Sequence, residues 1–198
     1  MPYVELHARS AFSFLEGASL PEEYAAACAD QEMPALALLD RDGVYGAPRF
    51  HLAAKKAGIR AHIGAEVTCT DGHRYPLLAS TRAGYQNLCR LITRMKMRAR
   101  KGEGAVTRSE LAEHSGGLIC LAPALDPELL EIFGKRNIYA EIQRHFDREE
   151  EVRNQARIET ARGLGVPLVA TNGVRHAFPA QREILDVLTC VRHKVTLA

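Results

Sequence analysis

The stretch VELHARSAFSFLEGAS, residues 4–19, runs a short apolar segment directly into His7 and then Arg9. A histidine at position 9 would complete an H-x-H pair able to hold a divalent metal. Arg9 interrupts that pair, because a guanidinium is cationic at any working pH and has no lone pair to donate. Asp40, Glu66 and the Asn172 region stand likewise at or near the ends of apolar runs. A lone polar residue in such a place is ordinarily a helix N-cap or a solvated loop residue. Four at corresponding strand ends would share one cleft, and imidazole and carboxylate are ligand types for a divalent ion.

Positioning them requires strands, and the chain alternates short apolar β-type runs with helical patterns. Candidate strands are YVELH (3–7), ALALLD (35–40), AHIGAEVT (61–68), YPLLAS (75–80), GLICLA (117–122), IYAEIQ (138–143) and PLVAT (167–171). Between them, Ser19 before Leu20, Pro21 and Glu22, and Thr107 three residues before Glu110, read as capping-box starts. Gly58 and Gly165 fall where helix C-caps belong. A helix over 85–100 would bury Leu88, Leu91, Ile92 and Met95 and turn its basic residues elsewhere. A second, over 148–163, is highly charged, with Val152, Ala156 and Ile158 as candidates for its buried face. Repeated β-then-α units imply parallel strands. About seven of them favour a closed or nearly closed barrel, with an open sheet as the alternative, and either gathers reactive groups where strands end.

Composition bounds the partners. The 198 residues are 46% hydrophobic and 25% charged, the make-up of one ordinary globular domain, and the formal charge of +2 offers no global attraction to nucleic acid or membrane. Five cysteines, odd in number and widely spaced, suit buried free thiols in a reducing, cytoplasmic compartment. No apolar run approaches the roughly 20 residues that span a bilayer.

Taken in order, these segments resemble the PHP domain (polymerase and histidinol phosphatase) at the N-terminus of bacterial C-family replicative polymerases, the alpha subunit of DNA polymerase III. ELHARSAFSFLEGAS is similar to the family's opening H-L-H-x-H-S-x-[FY]-S-x-L-[DE]-G, ALALLDRDGVYGAPRFH to A-L-A-[IL]-T-D-H-x-x-x-x-G-x-x-x-F, and GIRAHIGAEV to G-I-x-x-I-x-G-x-E. GYQNLCRLIT, IYAEIQRH, GVPLVATNGVRH and DVLTCVR follow in family order. The resemblance covers essentially the whole chain and implies a distorted (β/α)7 barrel of the PHP type, a single domain over 1–198. ELH followed by FSFLEGAS, with KGEGAVTRSEL, looks closer to the error-prone, damage-tolerant branch. The resemblance further implies an N-terminal fragment of a longer polymerase whose palm and thumb are partners and whose primer-template DNA is met through the parent protein.

In active relatives, His, Asp and Glu side chains hold two or three divalent metals that activate water and stabilise charge on a phosphoester. By resemblance, His7, Glu16, Asp40 and Glu66 are the residual metal candidates. Arg9 and Arg41 replace histidines, the later D-x-H pair is represented by Gly173 and Arg175, and Ala124 stands where relatives can carry a ligand. His176 adjoins the lost position. The expectation is therefore no metal cluster, at most one divalent ion (Zn, Mn or Mg), and Arg9, Arg41 and Arg175 paired with Asp40, Glu66 and Glu16 in a cleft that keeps its shape without its chemistry. The favoured function is a structural scaffold in DNA synthesis, repair and damage tolerance, with an active metal-dependent phosphoesterase (3′-5′ exonuclease or pyrophosphatase) as the alternative.

RMKMRARK, residues 94–101, supplies nucleic-acid contact candidates: Arg94, Lys96, Arg98, Arg100 and Lys101. Its plainer reading is a solvated basic helix end. His145, in EIQRH, is read as a hydrogen-bonding residue rather than a ligand.

Overall fold

A computed structural model of the chain describes residues 3–100 and 102–197. In chain order the elements are β1 (Glu5–Ala8), α1 (Pro21–Asp30), β2 (Ala35–Arg41), α2 (Ala47–Ala57), β3 (Arg60–Thr68), β4 (Arg74–Ala79), α3 (Arg82–Arg98), α4 (Arg108–His114), β5 (Leu118–Ala122), α5 (Pro127–Phe133), β6 (Ile138–Ile142), α6 (Arg148–Leu164), β7 (Leu168–Ala170), a 3-10 turn at Pro179–Gln181 and α7 (Arg182–His193). They form two compact units. One comprises residues up to Ile63 with those from Gly173 onward, and the other is Gly64–Asn172. No helix among the described residues is long and apolar enough to cross a membrane.

In the first unit β1 lies parallel to β2, with Glu5 opposite Leu36 and Ala8 opposite Leu38. Ala8, Tyr24, Cys28, Leu36, Leu38 and Phe50 pack as its buried core. Gly58 takes the left-handed conformation expected of a C-cap, φ +73°, and its N–H donates to Ala54. The start of α1 differs from expectation. Its N-cap is Leu20, whose N–H donates to the Glu23 carboxylate at 2.6 Å. Ser19 is drawn away because its hydroxyl accepts the Ala177 N–H at 2.6 Å and bonds Gln181.

In the second unit the strand order is β3-β4-β5-β6-β7. β5, β6 and β7 are parallel as expected, but β4 runs antiparallel to both neighbours. Residues 69–73 alone join β3 to β4, and a parallel connection needs a crossover of about a dozen residues or more. Arg108 anchors this hairpin: it donates to Asp71 and Asp126 at 2.7 Å each and lies 5.3 Å from the Tyr75 ring centroid.

Helix α3 buries Leu88, Leu91, Ile92 and Met95 as its periodicity predicts, each contributing on the order of 1.5–3 kcal/mol of burial. The Thr107–Glu110 capping box forms, and Gly165 closes α6 at φ +67°. The face of α6 departs from expectation: Val152 is 67% exposed and Ala156 is exposed, while Asn154 and Ala161 are buried. Polar docking decides this, since Asn154 Nδ2 donates to the Gln143 carbonyl at 2.6 Å and Arg157 Nη1 to the Glu141 carbonyl at 2.7 Å. All five cysteines are free; Cys28, Cys69 and Cys120 are buried, and burial pushes the Cys28 thiol up to about 11.

Candidate functional site

The loop leaving β1 builds a charged cluster in the first unit. Glu16 and Gly17 N–H groups both donate to the Ser13 carbonyl, at 2.8 and 3.1 Å. Between them and Phe14, Leu15 adopts φ +60°, a costly conformation for a non-glycine residue. It reverses the chain so that Phe14 is 80% exposed while Glu16 is 1% exposed. Only glycine fits at 17, where a Cβ would lie 2.1 Å from the Ser10 carbonyl oxygen.

Three arginines converge on the Glu16 carboxylate. Arg41 Nη1, from the end of β2, lies 2.6 Å from Oε1, Arg192 Nη1, from the end of α7, lies 3.4 Å from Oε1, and Arg9 Nη1 lies 3.5 Å from Oε2. Arg41 also approaches Asp42 at 3.5 Å. At this range opposite charges attract strongly in a medium less polar than water.

Asp40, 1% exposed, meets a different set. Its Oδ1 accepts the Ser10 N–H at 2.8 Å, the Ser10 hydroxyl at 2.8 Å and the Ser13 hydroxyl at 2.9 Å, and its Oδ2 accepts the Gly46 N–H at 3.1 Å. The expected guanidinium partner of Asp40 is thus replaced by hydroxyls and backbone amides. Because β1 and β2 are parallel neighbours, the loop after β1 passes over the end of β2 and delivers both serines there.

The other candidates fall as follows. His7 is 3% exposed, and its backbone N–H donates to Glu5 at 2.7 Å. Arg175 is half-buried, and its carbonyl accepts the Ala18 N–H at 2.8 Å. Glu66 belongs to the second unit, where Arg74 Nη1 lies 3.6 Å from Oε2. His176 Nδ1 is 3.1 Å from the Phe178 carbonyl. His145 makes the hydrogen bonds expected of it: Nδ1 is 2.8 Å from the Glu150 carboxylate and Nε2 2.9 Å from the Asn172 carbonyl. Among the described residues, no group of three or more His, Cys, Asp or Glu side chains is placed to share one metal ion.

Of the basic candidates on α3, Arg94 Nη1 lies 2.5 Å from Glu113, and Arg98 grips the Glu110 carboxylate with both terminal nitrogens. Lys96 and Arg100 are exposed, and Lys101 lies outside the described residues.

Sequence reading passed over Arg192, Ser10 and Ser13. A signal existed for Arg192: it stands seven residues after Leu185, the buried residue of α7, and so shares its inward face. For the serines the signal was weaker, two hydroxyls three apart in the turn after a strand that begins a metal-like motif.

The PHP domain family matches this chain over residues 5–148. An error-prone DNA polymerase of Anaeromyxobacter sp. (strain K) is 40% identical over 98% of this chain, and one of Dechloromonas aromatica (strain RCB) is 38% identical over 98%. The chain spans 19% and 20% of the length of these curated relatives. A solved two-domain protein from Bacteroides vulgatus, described as containing a predicted PHP-like metal-dependent phosphoesterase, aligns over 90% of this chain and 53% of its own. Its TM-score is 0.58, with 11% identity. That likeness bears out the expected α/β fold of the PHP type.

Proposed function

This chain belongs to the PHP domain family, and from that premise we propose that it is the PHP domain of a longer error-prone DNA polymerase, kept there as a scaffold rather than as a hydrolase. The observation that carries this reading is Glu16, a buried carboxylate approached by Arg9, Arg41 and Arg192. A divalent ion about 4 Å from one guanidinium meets roughly 8 kcal/mol of repulsion at an effective dielectric near 20. Three such groups surround the carboxylate that would have to hold the ion, and the other buried carboxylate, Asp40, already accepts from four donors. This donor set does not fit a metal cluster. It fits an ion-pair knot that joins the β1 loop, the end of β2 and α7. In this reading the palm and thumb of the parent polymerase pack against the domain, and primer-template DNA is handled by the parent.

Elemental analysis tests the proposal. After incubation with manganese and zinc followed by dialysis, the chain is expected to retain no stoichiometric metal. A tightly bound pair of transition metals would overturn the scaffold reading.

The second reading, a metal-dependent phosphoesterase, draws on the buried His7 at the first ligand position. A phosphodiesterase assay with added manganese, run beside His7→Ala, separates the two. Activity that the substitution abolishes favours the enzyme, and activity absent from both favours the scaffold.

A further inference from the structure

Helix α3 and the residues just after it concentrate positive charge. From Arg82 to Lys101 the sequence holds seven basic residues and no Asp or Glu, in a chain whose formal charge is +2. Burial of Leu88, Leu91, Ile92 and Met95 turns the opposite face outward, and Arg82, Arg90, Lys96 and Arg100 are all exposed.

The helix dipole explains only part of this arrangement. It favours cations in the last turn, which accounts for Lys96 and Arg98. Arg82 occupies the first position, where the dipole opposes a cation, and Arg90 stands mid-helix. Neighbouring acids explain only part as well: Glu110 and Glu113 of α4 take Arg94 and Arg98, while Arg82, Arg90 and Arg100 have no ion pair among the described residues. An open groove of about 630 Å³ runs alongside, lined in part by Arg90, Thr93, Arg94 and Met97.

We propose that the exposed face of α3, with the residue just beyond its C-terminal end, is a sequence-independent contact for a nucleic-acid phosphate backbone, made by Arg82, Arg90 and Lys96 on the helix and Arg100 after it, with Arg94 and Arg98 held by α4 as its rigid edge. Charge complementarity selects a polyanion. At about 1.5 Å of rise per residue, the run from Arg82 to Arg90 spans about 12 Å and that from Arg90 to Lys96 about 9 Å, and a nucleic-acid strand presents a charge about every 3.4 Å of its axis, so successive cations on the helix reach roughly every third phosphate. An acidic amphipathic peptide fits less well, because Tyr85 and Met97 are the large hydrophobic side chains this helix exposes. The proposal goes beyond the scaffold reading and makes no use of the Glu16 cluster, so either can fail alone.

The test titrates the 198-residue chain with fluorescent mixed-sequence oligonucleotides, single-stranded and duplex, over a range of salt. With four phosphate contacts, log K against log salt is expected to slope at about −3.6 on duplex and about −2.8 on a single strand. Arg90→Gln with Lys96→Gln, and separately Arg82→Gln with Arg100→Gln, should each flatten the duplex slope by about 2, with unchanged circular dichroism. Arg153→Gln with Arg162→Gln on α6 removes the same charge elsewhere and should leave the slope unaltered. Absence of binding at low salt, slopes indifferent to both α3 pairs, equal weakening by the α6 pair, or stronger binding of an acidic peptide than of duplex would each overturn the proposal.

Discussion

Arg41 and Glu16 meet with Nη1 2.6 Å from Oε1, at a carboxylate that is 1% exposed and that Arg9 and Arg192 also approach. One acid thus compensates cations delivered by the β1 loop, by β2 and by the C-terminal helix. The pairing ties segments at opposite ends of the chain.

Glu16→Gln leaves those guanidiniums without their shared counter-charge. Removing one partner of a fully buried pair costs about 3–5 kcal/mol. The arginines here are 14–34% exposed, so solvent screening lowers the expected loss to about 2–3 kcal/mol. Urea denaturation measures it, and the loss should shrink when Arg41 is replaced by Gln in the same chain, because one of the three cations at this site has gone.

Asp40→Asn turns an acceptor that satisfies four donors into a group whose amide hydrogens face Ser10 or Gly46. Hydrogen bonds to a charged group contribute about 1.5–3 kcal/mol each, and a loss of about 2–3 kcal/mol in total is expected from the same denaturation experiment. Asp40→Ser should do no better, since a hydroxyl cannot span all four donors.

Acid should weaken the second unit in a defined window. Arg98 hydrogen bonding holds the Glu110 carboxyl at about 2 against the raising effect of burial, compared with 4.5 in an unfolded chain. Burial raises Asp71, but donors from His73, Tyr75 and Arg108 outweigh it and hold the carboxyl at about 2, compared with 3.8. Both acids therefore contribute stability above their unfolded values, and that contribution is lost as pH falls toward about 2. Thermal midpoints taken between about pH 5 and pH 2 should decline, and Arg98→Gln should make the decline shallower.

Gly84→Ala should destabilise the second unit by about 1–3 kcal/mol. A Cβ on Gly84 would lie 1.9 Å from the Gly117 carbonyl oxygen, which already accepts from both the backbone and the hydroxyl of Ser80. A calorimetric midpoint equal to that of the parent chain would contradict this close packing of α3 on the turn before β5.

Much of this architecture was legible in residue order. Apolar runs located all seven strands, and the 3.6-residue period of Leu88, Leu91, Ile92 and Met95 oriented α3. The direction of β4 was not, because alternation of strand and helix says nothing about the five residues between Thr68 and Arg74. The buried face of α6 was missed for a related reason. Hydropathy ranks Val152 above Asn154, yet a hydrogen bond to the Gln143 carbonyl sets which side turns inward.

At the candidate site, the sequence by itself determined which groups are present: Arg9, Arg41, Asp40 and Glu16. It could not assign partners, because the choice of counter-ion depends on which loops cross which strand ends. Tertiary structure decided that Asp40 belongs to two serines and a glycine amide, and that Glu16 gathers a third arginine from 176 residues away, Arg192 of α7. Charge type is a local property of the chain. Charge pairing at 3–4 Å is a property of the fold, since Coulomb attraction in water is weak until folding fixes the groups side by side and removes much of the solvent between them.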